Sequence, residues 1–70
     1  MIQPNNGDVV IREGYLDSKA IFLLGTPETP DQFIVCTRDD AVSRGMAYAR
    51  FQGVLAWFAE ADGSFMLLAG

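Results

Sequence analysis

The sequence has no histidine and only one cysteine, Cys36. A lone thiol cannot close an internal disulfide. Without imidazole the chain lacks the commonest transition-metal ligand and the usual general base at neutral pH. No metal, cofactor or catalytic constellation is therefore expected, and the chain reads as a non-enzyme. Cys36 stands in an apolar run beside Val35, which predicts a buried, inert thiol suited to a reducing cytoplasm.

Basic residues are also few. Five Lys and Arg face nine Asp and Glu, for a net charge of −4. Arg12, Lys19, Arg38, Arg44 and Arg50 are scattered, and the three arginines of the predicted helix recur every six residues, on differing sides of it. A phosphate backbone needs clustered cations, so direct nucleic-acid binding is not expected. No apolar run is long enough to span a bilayer. The start, "MIQPNNGD", has neither the basic region nor the apolar core of a signal peptide. The expected place is the cytoplasm. Scattered glycines form no phosphate loop, and "EADGS" lacks the alternating oxygen ligands and distal Glu of a calcium loop.

What remains is a small apolar domain. Seventy residues, half of them hydrophobic, make a globular composition. A chain this short buries only about 60% of the surface exposed on unfolding. Small domains gain further stability from disulfides, metals or self-association. With the first two excluded, self-association is the means left.

Residues 1–7, with Pro4 and Gly7, read as a flexible leader to a single domain over 8–70. "DVVIREG" predicts a strand at Val9 to Glu13, with a turn at Asp17 and Ser18. "KAIFLLG" is a second strand, "TPETPD" a proline loop, and "QFIVCT" a third strand. Thr37 is a suitable N-cap; Asp39 and Asp40 complement the helix dipole, Asp40 making a partial capping box, and Gly53 is a C-terminal stop. The helix is thus 38–52. Its carboxylates need no catalytic explanation. Ala41, Gly45 and Ala49 form one line on it, flanked by Val42 and Met46, which allows close seating on a sheet. Phe51 falls on the far side of the helix, as an end contact or exposed. "VLAWFAE" and "SFMLLA" flank Asp62-Gly63, a hairpin signal. The fold class is α+β, order β-β-β-α-β-β, with one helix on one face of a mainly antiparallel sheet; the third and fourth strands are placed to run parallel.

That final hairpin has no polar side. A two-residue turn places Leu55, Trp57, Ala59, Met66 and Leu68 on one face and Val54, Phe58, Phe65 and Leu67 on the other. A three-residue turn shifts the register but leaves both faces apolar. A sheet apolar on both sides needs two covers, and the chain has one helix. Either the leader and the proline loop supply the second cover, or another molecule does. The expectation is a homodimer or another protein partner, with Leu55, Trp57, Phe58, Phe65, Met66 and Leu68 as interface candidates. Trp57 and Phe58 lack the basic neighbours of a base-stacking platform. An alternative role is an acidic antagonist or mimic that binds a nucleic-acid-binding protein.

From Phe33 to Leu68 the chain resembles a group of short uncharacterised bacterial proteins. "TRDDAV" matches their Thr-x-Asp/Glu-x-Ala helix start and "AYARFQG" their Ala-rich helix; "VLAW" and "EADGSFMLL" match their Trp strand and Asp-Gly-x-Phe hairpin. The resemblance implies the strand-helix-hairpin order and a bacterial origin. It implies no activity and no functional residue.

Overall fold

The computed structural model describes residues 3–69. The expected leader and domain reach Met1, Ile2 and Gly70, which lie outside the described residues. The elements are β1 (Val9–Leu16), β2 (Lys19–Gly25), β3 (Phe33–Val35), α1 (Arg38–Gln52), β4 (Ala56–Ala59) and β5 (Phe65–Ala69). They form one α+β domain in the expected order. The strands lie side by side as β3-β2-β1-β4-β5.

The sheet is mixed, which corrects the expectation of a mainly antiparallel one. β1 pairs in parallel with β4, Val9 opposite Ala56 and Ile11 opposite Phe58. The cause is the crossover. The chain leaves β3 at one edge and passes through α1 over β2 and β1. It returns beyond β1 in the direction in which β3 ran, so β3 and β4 are parallel without being neighbours.

β1 continues to Leu16, three residues past its expected end. Asp17 and Ser18 both have positive φ, 52° and 66°. A two-residue loop of this kind matches the twist of the flanking strands, so pairing runs up to Leu16 opposite Lys19. β3 is shorter than "QFIVCT" suggested. Cys36 lies past its end and is exposed, which corrects the expected buried thiol.

The helix keeps its expected bounds. The Thr37 hydroxyl accepts a hydrogen bond from the Asp40 amide at 3.1 Å. The Asp40 carboxylate turns away from the cap and accepts from Arg44 Nε at 3.0 Å, so only half of the capping box forms. At the other end Gly53 is left-handed, φ 71°. Its amide donates to the Arg50 carbonyl and that of Val54 to Ala49, a Schellman closure. Phe51 is exposed.

Ala41, Gly45 and Ala49 are the buried residues of α1. They rest on Val9 and Ile11 of β1, with Phe22 and Leu24 of β2, Val35 of β3, and Ala56 and Phe58 of β4 completing the core. The rings of Phe22 and Phe58 lie 6.3 Å apart, and the Arg38 guanidinium covers Phe58 at 4.4 Å. Gly45 is the point of closest approach. A β-carbon there would stand 2.6 Å from Ile11 Cδ1 and 3.2 Å from its Cγ1. Ile11 is fully buried and has nowhere to retreat.

Gly45→Val is therefore expected to destabilise the fold by about 2 kcal/mol through overpacking. In a free helix the same change would help, because Val is the better helix former. Urea unfolding decides between them. Combined with Ile11→Val, the loss should be smaller than the sum of the two single effects; an unchanged or raised midpoint for Gly45→Val would show that the helix does not sit on that contact.

Candidate interaction surface

Strand alternation sends a second set of side chains away from the helix. Val10, Arg12, Gly14 and Leu16 of β1 share this open face with Lys19, Ile21, Leu23 and Gly25 of β2 and Ile34 of β3. Trp57 and Ala59 of β4 and Phe65 and Leu67 of β5 complete it.

The last hairpin closes with three residues, Ala61-Asp62-Gly63, not with the two-residue turn first expected. The Glu60 amide donates to the Ser64 carbonyl, that of Gly63 donates to Glu60, and Gly63 has φ 92°. Asp62 Oδ1 accepts from both the amide and the hydroxyl of Ser64, which hold its carboxyl below the usual range. Trp57 thereby faces Leu67, Phe58 faces Met66 and Ala59 faces Phe65. The register shift moves Met66 from Trp57's face to that of Phe58.

The six interface candidates are consequently divided. Trp57 and Phe65 stand on the open face, where Trp57 is buried and Phe65 half-buried. Phe58 is buried under the helix, and Leu68 packs on the same core. Met66 shares that side and is exposed at the sheet edge. Leu55, just before β4, is half-buried.

Trp57 owes its burial to a carboxylate. Asp8 is 4% exposed, the one buried charged residue among those described. Its Oδ2 accepts from Trp57 Nε1 and from the Asn5 amide, both at 3.0 Å; its Oδ1 accepts from the Leu55 amide at 3.2 Å. Beside it the Val9 amide donates to the Leu55 carbonyl at 2.9 Å. One side chain thus ties the leader, β1 and the entry to β4 together. Burial pushes the Asp8 carboxyl up, but the donors from Asn5, Trp57 and Leu55 outweigh it, and the group sits below its ordinary 3.8.

A second clamp holds the proline loop to this side of the sheet. Arg12 Nε donates to Asp31 Oδ1 at 2.9 Å, and the same guanidinium pairs with Oδ2 through its Nη2. Asp31 itself has φ 61°.

Leader and loop come together beside Val10, Arg12, Ala59 and Phe65, over the middle strands of the face, and leave its margins open. Leu16 is 58% exposed, Ile34 59% and Leu67 52%, with Ile21, Leu23 and Phe65 half-buried between them. Sequence reasoning had not singled out Leu16, Ile34 or Leu67. The two-residue turn at Asp17-Ser18 was the signal available, because it fixes the parity of Leu16 against Ile21 and Leu23.

Among the described residues no group of three or more Cys, Asp or Glu is placed to hold a metal ion, and no helix is long and apolar enough to cross a membrane. No protein-family model matches the chain, and neither a curated protein nor a solved structure matches it.

The Asp8 cluster carries a pH signature. Because its folded pKa is depressed, its stabilisation is fully present above about 3.8 and is lost as pH falls through the lower folded value. Asp8→Asn leaves a donor where Leu55 or Trp57 needs an acceptor and should cost about 1–3 kcal/mol at neutral pH. Urea midpoints measured from pH 7 down to 2.5 should fall less steeply for the variant than for the parent. Parallel curves would remove Asp8 from this role.

Proposed function

We propose that the chain is a non-enzymatic, cytoplasmic interaction module that self-associates through the open face of its sheet as a twofold homodimer. The observation that carries this reading is that Leu16, Ile34 and Leu67, at three margins of the face the helix does not cover, are each more than half exposed. Apolar patches of this kind on small domains serve as contact surfaces, and a domain of seventy residues gains stability by burying one.

A second copy suits the face because its charges are paired or marginal: Arg12 is matched by Asp31, and Lys19 stands opposite Leu16 at the tip of the first hairpin. Asp8 is enclosed by donors. Glu13 points to the helix side. Asp17, Glu28, Glu60 and Asp62 lie in turns, and Asp39 and Asp40 at the helix start. Two such faces can meet through their apolar side chains with Lys19 left at the rim of an isologous contact.

Sedimentation equilibrium at micromolar concentration, with reductant to keep the exposed Cys36 free, should return about twice the 7.7 kDa chain mass. Ile34→Lys with Leu67→Lys should halve it while leaving circular dichroism unchanged, since both positions are exposed. A clean monomer mass for the parent protein would defeat the proposal.

A further inference from the structure

On the helix side, between α1 and β3, lies a cleft of about 280 Å³. It accompanies the Gly45 contact: the helix is drawn down onto β1, and β3 at the sheet edge is only partly covered. The cleft is lined by the buried Val9, Leu24 and Val35 and by the exposed Phe33 and Tyr48. Arg44 is the one charged residue that lines it. Its Nε is engaged by Asp40, and its two Nη groups make no hydrogen bond to another side chain among the described residues. An apolar recess with a guanidinium and a phenol beside it suits a ligand with a hydrocarbon body and an anionic head.

We propose that this cleft binds a medium-chain aliphatic carboxylate. The alkyl chain lies on Val9, Leu24 and Val35, and the carboxylate accepts from the Arg44 Nη groups with the Tyr48 hydroxyl as second donor. The volume sets the size. At about 280 Å³ the cleft has room for a chain of around eight carbons. The site opens on the helix side of the sheet, away from Leu16 and Leu67, and meets the open face only at Ile34 of β3, which borders both.

The probe is sodium octanoate, titrated into the full chain and followed by amide chemical shifts. Saturable shifts at Leu24, Val35 and Tyr48 are expected, with Kd of about 1 mM or below. Octylammonium should not bind, and octanol should bind several-fold more weakly. Arg44→Gln, at an exposed position, should weaken octanoate about fivefold and leave octanol unchanged; Arg44→Lys should recover part of the loss. Asp40→Asn releases the guanidinium and should tighten octanoate. Equal titration by octanoate and octanol, shifts centred on Leu16 and Leu67, or no saturation up to about ten times the expected Kd would each overturn the assignment. Protein concentration alone reproducing the shifts would do the same, by showing that a second copy fills the cleft.

Discussion

The contact of Gly45 with Ile11 sets how closely the helix approaches the sheet, and the two sides of the sheet differ because of it. A larger residue at that position would lift α1 and open the core of Val9, Ile11, Phe22, Leu24 and Phe58. Gly45 costs about 1 kcal/mol of helix propensity relative to Ala. Tight packing against a fully buried Ile11 offsets that cost. The same closeness explains why one helix of fifteen residues can serve as the whole lid for β1 and β2, yet leaves β3 partly uncovered at the sheet edge.

On the side without a helix, polar groups replace apolar cover. Asp8 and Arg12 both belong to β1 or its approach, and each pins a segment that has no regular structure of its own: the leader through Asn5, the proline loop through Asp31. Asp8 is enclosed and well supplied with donors, so removing a partner leaves a buried charge short of hydrogen bonds. The Arg12–Asp31 pair is solvated and of small energetic value by comparison, though its fork geometry fixes where the loop lies. Trp57 is sheltered there. Its cross-strand neighbour Leu67 on the edge strand, and Leu16 and Ile34 at the other margins, are not.

The helix was legible in the sequence residue for residue, because Thr37, Asp39, Asp40 and Gly53 act locally and their signals survive any tertiary context. The small-residue line was legible for the same reason, as was the alternation in β2. Pairing was not. Whether β4 joins β1 or β3 depends on where a helix delivers the chain, and no local pattern records that. The hairpin register turned on whether Ala61 belongs to a strand or to the turn, a difference of one residue that reassigned Met66 and separated the six interface candidates. Cys36 misled because an apolar neighbourhood in sequence was read as burial, while β3 ends one residue earlier, at the sheet edge. Asp8 stands just before a strand, and nothing adjacent to it in sequence marks it as a buried acceptor. Only the proximity of Leu55 and Trp57, nearly fifty positions away, reveals what it holds.

The turn at Asp17-Ser18 has a consequence for how chains of this design can vary in length. Its two left-handed residues leave no slack between Leu16 and Lys19. One added residue would have to be absorbed as a bulge or would slide β2 along β1, and a slide by one position turns Phe22 and Leu24 out to water while Ile21 and Leu23 turn inward. The stretch from Thr26 to Gln32 carries no such register penalty, since it lies outside the strand pairing and its hydrogen bonds centre on Thr29 within it. Insertions should accumulate there, around the prolines, and the tip of the first hairpin should stay at two.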